Sequence, residues 1–208
     1  MRPITRALNP PAELAANFDT LTAEWLRRVA AAVPGSPAVW TWGPHADGKT
    51  VRDHILPKLM KQTEHHCSYC DLFPVTAGSP DTVDHFRPKG RKRWPELAYE
   101  WTNLFYACSG CQSEKLEHFD ERVLKPDADD FRWQDYFRFN AVTGFLVPRL
   151  GIGTAERLRA RATIKLFGLN RRGRPKARLH AYRDWLKLGK PAVLRRPYRF
   201  CMVPPPNE

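Results

Sequence analysis

The chain has 208 residues, 42% hydrophobic and 27% charged, enough to bury a sizeable core, so a disulfide-stapled miniprotein is excluded. Its longest apolar runs, such as NLFYAC at 103–108, fall far short of the roughly 20 residues that cross a bilayer, and no basic-then-apolar leader opens it, so a cytoplasmic protein without membrane contact is expected. The net charge of +12 asks for an anionic partner or a solvated basic surface. Between Arg149 and Arg199 sixteen Lys and Arg meet only Glu156 and Asp184, while the remainder is slightly acidic; such segregation points to nucleic acid.

In chain order, 11–33 places Leu14, Phe18, Leu21, Trp25 and Val29 at steps of three and four, which predicts an amphipathic helix facing a core. The Pro-, Gly- and Trp-rich stretch 34–48 reads as a loop, and 50–64 as a second helix leading into CSYC. A short strand is expected at 81–86, a basic loop at 87–98, a lead-in to CSGC at 99–107 and a short helix from Gln112. YFRFNAVTGFLVP at 136–148 alternates around a Thr-Gly turn and predicts a hairpin. A helix over 153–170, with Thr154 as cap and Leu158, Ala162, Leu166 and Leu169 inward, precedes a basic helix at 174–188 and an irregular, proline-rich tail. The expected division is an N-terminal helical region (1–64), a cysteine-framed core (65–120) and a hairpin plus basic helical C-terminal region (121–208).

Four of the five cysteines form two C-x-x-C pairs, Cys67 with Cys70 and Cys108 with Cys111. In a reducing compartment two such knuckles can turn four thiolates toward one structural Zn²⁺; redox dithiols or buried free thiols are the competing roles. Cys201 is expected to be a small buried hydrophobe. His65 and His66 are spare beside a complete thiolate set and are expected to be solvated or to support a ligand, and His118 to be a solvated helix-end residue. Trp94, Tyr99, Trp101, Phe105 and Tyr106 are expected to pack around the knuckles rather than stack on bases.

The 37 residues between the knuckles hold TVDHFRPKG. Hydrolysis of a phosphodiester needs an activated water, neutralisation of phosphoryl charge and help for the leaving oxygen. Asp84 suits a hard divalent cation such as Mg²⁺, and His85, titrating near neutrality, suits proton abstraction from water. Arg87, Lys89, Arg91, Lys92 and Arg93 could hold phosphates or form a surface loop, and Arg171, Arg172, Arg174 and Lys176 are candidate phosphate contacts in the basic segment.

CSYC, TVDHFRPKG and WTNLFYACSGCQSEK, in that order, resemble the zinc-containing HNH endonucleases. The resemblance implies an α+β chain, mostly helical around a small zinc-clamped ββα-metal unit, with a basic helical C-terminal region. It further implies that Asp84 binds the catalytic Mg²⁺ or Mn²⁺, that His85 is the general base, and that Asn103 orients the base and its loop. Gln112 stands where the family usually has His or Asn as a further metal ligand, and its extra methylene moves that ligand by about one bond length. LKPDADDFRWQDYFRFNAVTGFLVPR and RATIKLFGLNRRGRPKAR resemble the HNH subunits of Septu-type and retron-associated anti-phage systems. The implied function is an endonuclease acting on DNA, with RNA left open, in antiviral defence beside an ABC-like ATPase. The alternative from another class is a zinc-knuckle module that binds nucleic acid without cutting it.

Overall fold

The computed structural model describes residues 1–33, 35–36, 38–75 and 81–202. Helix α1 (Ala12–Ala31) buries Leu14, Leu21, Trp25 and Val29 on one stripe, with Phe18 partly covered, as its spacing requires. Helix α2 (Val51–Gln62) buries Val51, Ile55 and Leu59; its start is held where Thr50 N donates to Asp53 Oδ2 over 2.9 Å.

Strand β1 (Asp81–His85) pairs antiparallel with β2 (Leu104–Cys108), in a register that sets Asp84 opposite Phe105 and His85 opposite Leu104. Helix α3 (Ser109–Lys115) follows β2 without a loop and packs against both strands. It begins three residues earlier than the expected start at Gln112, so Cys111 lies inside the helix. Between β1 and β2 two single turns of 3₁₀ helix form, Pro95–Leu97 in the basic loop and Trp101–Asn103 in the lead-in to the second knuckle.

The short helix α4 (Trp133–Tyr136) leads into a hairpin of β3 (Phe137–Phe139) and β4 (Leu146–Pro148). Gly144 turns it at φ +76°, where a Cβ would come within 2.0 Å of the Pro175 carbonyl oxygen. Helix α5 (Thr154–Leu166) differs from expectation in two respects. Gly153 rather than Thr154 occupies the cap position, and Leu158 is exposed, whereas Ala162, Leu166 and Leu169 pack inward as expected beside the buried Ala160 and Thr163. The buried Thr163 Oγ1 is satisfied there, accepting from Leu124 N (2.9 Å) and donating to Arg159 O (2.9 Å). Helix α6 (Arg174–Lys187) starts after Gly173, at φ +75°, with Pro175 in its first turn.

The tail is not loose where it is described. Tyr198 N bonds to Asp71 O, and the Arg199 guanidinium reaches Asp71 (2.8 Å) and Glu64. At the other end Arg6 donates to Trp101 O (2.8 Å), Leu104 O (3.0 Å) and Asp127 (2.5 Å). One hydrophobic cluster runs from Met1 through the knuckles to Cys201, so the three expected regions share a core. Among the described residues no helix is long and apolar enough to cross a membrane.

Candidate active site

The Cys67, Cys70, Cys108 and Cys111 sulfurs lie within 4.8 Å of one another, all buried and all free thiols. The Cys70 and Cys108 sulfurs are 3.7 Å apart. Zinc–sulfur bonds of about 2.3 Å in a tetrahedron place sulfurs about 3.8 Å apart, so the cage could hold zinc. Backbone builds it: Asp71 N closes the first knuckle on Cys67 O (2.9 Å), Ser68 N ties it to Tyr106 O (2.9 Å), and Cys108 N donates to Cys67 Sγ (3.4 Å). Hydrogen bonds from Cys111, Cys67 and Cys70 pull the Cys108 thiol far below its ordinary pKa, favouring thiolate.

Arg174 flanks the cage. A Cβ on Gly110 would come within 2.9 Å of its guanidinium, which donates to Phe167 O (2.6 Å) and Gly168 O (2.7 Å). Burial disfavours its charge, but the sulfurs of Cys111, Cys70, Cys108 and Cys67 raise its pKa overall. The expectation of Arg174 as a phosphate contact is therefore corrected: the side chain is buried and its donors face the protein interior. Arg171 and Arg172 remain exposed while pairing with Glu114 at 3.2 and 2.6 Å, and Lys176 is exposed.

Asp84 and His85 sit side by side on β1 in different surroundings. Asp84 Oδ2 accepts from the Tyr69 hydroxyl at 2.8 Å and lies 3.3 Å from Lys115 Nζ, which also donates to His85 O at 2.6 Å. Burial raises the Asp84 pKa, with Lys115 and Tyr69 opposing it. Tyr69 belongs to the first knuckle and Lys115 to the helix of the second, so both halves of the cage converge on this carboxylate.

The His85 ring lies 5.5 Å from Trp42, nearly parallel to it, and meets Trp40 edge-on at 5.1 Å. Its Nε2 is 2.9 Å from Ala98 O. A carbonyl only accepts, so Nε2 carries the proton and Nδ1 keeps the lone pair of the neutral ring. Burial, reinforced by Lys89, holds the His85 pKa well below its ordinary value, so the imidazole is neutral at pH 7.

Asn103 fixes the loop beyond His85. Its Oδ1 accepts from Arg87 N (2.7 Å) and its Nδ2 donates to Arg87 O (3.0 Å) and Leu97 O (2.9 Å). Lys89 is half-buried with Nζ 4.8 Å from the Trp40 ring centre. Arg87 stacks over Trp94 and Phe119 and pairs with Glu121 (2.9 Å), Arg91 donates to Ala32 O, and Lys92 and Arg93 are exposed.

Gln112 is half-buried and turns its amide nitrogen to Val83 O at 3.4 Å. Asp84, by comparison, is engaged by Tyr69 and Lys115.

Tyr99, Trp101, Phe105 and Tyr106 are buried, Trp94 is half-buried against Phe119, and Cys201 is buried. His118 and His65 are exposed. His66 is buried and stacked on Phe73, with its ring nitrogens 2.7 Å from Glu64 O and 3.0 Å from Arg196 O, of which the neutral ring can donate to one; it belongs to the anchoring of the tail. Tyr69, Lys115, Trp40 and Trp42 did not stand out as site residues in the sequence, although Tyr69 and Lys115 lie inside the motifs CSYC and CQSEK. The two tryptophans carry no spacing signal, because they arrive from a loop more than forty residues before His85.

No family model matches the chain. At 24% identity over 154 residues it is similar to the Septu protein PtuB of Bacillus thuringiensis, the alignment covering 62% of this chain and 59% of PtuB. The chain thus matches about three fifths of the length of that curated relative.

Proposed function

We propose that the chain is a zinc-stabilised endonuclease of the HNH type, with the ββα-metal arrangement in the unit β1–β2–α3, and that it hydrolyses phosphodiester bonds of DNA. The observation that carries this is His85: a buried neutral imidazole whose Nε2 is tied to Ala98 O, leaving Nδ1 as the base. In the proposed reaction Nδ1 takes a proton from the water that attacks phosphorus, the P–O3′ bond breaks with the departing O3′ taking a proton from solvent, and the ends are 5′-phosphate and 3′-hydroxyl. Asn103 keeps the loop beyond the base in place, and Lys89 supplies positive charge on the same side. The resemblance asks for Mg²⁺ or Mn²⁺ at Asp84 and Gln112, but no step is assigned to the ion, given how both side chains are engaged.

Similarity to a Septu protein supports a defence-related role, and an ABC-like ATPase is the partner proposed. The alternative, a nucleic-acid-binding module that does not cut, is favoured by the pairing of Asp84 with Lys115. Supercoiled plasmid incubated with the protein, with or without Mg²⁺ or Mn²⁺ and with or without a co-expressed ATPase partner, separates the two. Nicking or linearisation that disappears in His85→Ala supports the nuclease; retention of plasmid without cutting under every condition supports the binding module.

A further inference from the structure

A second group of metal-ligating side chains lies outside the cysteine cage. His45, Asp47 and His54 each bring a ligand atom within 4.8 Å of the others. His45 Nδ1 is 3.0 Å and His54 Nε2 3.2 Å from the same oxygen, Asp47 Oδ1. Two ligands bonded at about 2.0–2.1 Å in tetrahedral geometry lie about 3.3 Å apart, so these spacings match the edges of a small nitrogen–oxygen cage. We propose that His45, Asp47 and His54 form a second site for a divalent transition ion such as Zn²⁺, with nitrogen and oxygen ligands and a position left for water.

Backbone and neighbouring side chains support the set. The turn that carries His45 and Asp47 is closed by His45 N to Lys49 O (2.7 Å), Gly48 N to His45 O (3.0 Å) and Lys49 N to Asp47 Oδ1 (3.1 Å). His54 comes from the first turns of α2, so an ion would fasten the turn to a helix. The second ring nitrogen of His54 faces Glu13 Oε1 at 3.9 Å, and Glu13 is itself held by Lys58 at 2.8 Å. A carboxylate behind a ligating imidazole is the usual outer support of a metal-bound histidine. Each imidazole directs an N–H at Asp47, and an ion would need that proton on the opposite ring nitrogen, which leaves a lone pair for the metal. Both histidines are half-buried, Asp47 is exposed, and Lys49 faces the carboxylate from 3.9 Å on an exposed side chain.

The placement ties the site to the rest of the molecule. Trp42 and Trp40, three and five residues before His45, are the rings against His85. An ion at His45, Asp47 and His54 would pin the segment that roofs the His85 side of β1.

The test uses tag-free full-length protein. Each sample is saturated with ZnCl₂, dialysed against metal-free buffer and assayed for zinc per chain, alongside His54→Ala and Asp47→Ala and with circular dichroism as a fold control. The expected result is one equivalent more in the wild type than in either variant, and calorimetric titration of Zn²⁺ into protein carrying only its slowly exchanging zinc should show one further site that His54→Ala lacks. Equal zinc content in all three proteins, or no binding heat in the wild-type titration, overturns the proposal. The wild-type titration decides the matter even if a variant fails to fold.

Discussion

The Tyr69 hydroxyl donates to Asp84 Oδ2 over 2.8 Å, linking the middle of the first cysteine knuckle to the carboxylate of β1. Tyr69 is fully buried and stacks on Phe167 at 3.9 Å. Tyr69→Phe keeps that packing but deprives a buried carboxylate of a donor. A loss of about 1.5–3 kcal/mol is expected, read as a lower denaturation midpoint with an unchanged m-value. A midpoint within error of wild type would mean that Asp84 takes its second donor from elsewhere.

Four buried sulfurs within 4.8 Å of one another predict one tightly held zinc there and a fold that depends on it. Cys108→Ser should lose that zinc by elemental analysis and melt without a cooperative transition. A cooperative melt at the wild-type temperature would show that packing alone holds the knuckles together.

His85 sets a pH dependence. Its folded pKa lies below the ordinary value because burial, then Lys89, disfavours the imidazolium. Above about pH 6.5 the ring is neutral in both folded and unfolded chains, and its contribution to stability is fully present. As pH falls below that value the unfolded chain takes up a proton that the native chain refuses, and stability drops by up to about 1.4 kcal/mol per pH unit until the folded pKa is reached. The His85 ring resonances in an NMR titration should still report neutral imidazole at pH 6, whereas a midpoint at 6.5 or above would contradict the burial argument. On the proposed function, His85→Ala lowers cleavage by about 10²–10⁴-fold with nucleic-acid binding retained.

The basic segment divides into two classes of charge. Neutralising the exposed Arg171, Arg172 and Lys176 should lower the melt only by the loss of the two ion pairs to Glu114, and flatten the dependence of log affinity on log salt by about 0.9 for each duplex-DNA phosphate that no longer meets a cation. Arg174→Ala should behave differently, because it removes a buried cation lying between two carbonyls and the sulfur cage. A destabilisation of about 3–5 kcal/mol is expected, with reduced zinc retention. A salt slope unaltered by the triple variant would place those charges against a protein partner instead.

Much of this molecule is local and therefore readable along the chain. The stripe Leu14, Leu21, Trp25 and Val29 specifies a helix because its period is that of the helix. The Thr143-Gly144 turn specifies a hairpin because a φ of +76° suits glycine, and two C-x-x-C pairs specify a sulfur cage because each knuckle is a turn of four residues. What the chain order does not contain is the choice among chemically equivalent partners. Gln112 and Lys115 both follow the second knuckle, yet the helix starting at Ser109 carries Lys115 to Asp84 and leaves Gln112 at Val83. Arg174 reads like its neighbours Arg171 and Arg172, but the first turn of α6 points it inward at the cage. Trp42 meets His85, and Asp71 meets Arg199, across 43 and 128 positions. Such pairings are selected by burial, because a ring or a charge taken out of water must find its complement wherever the packed core presents one, and sequence spacing carries no record of that distance.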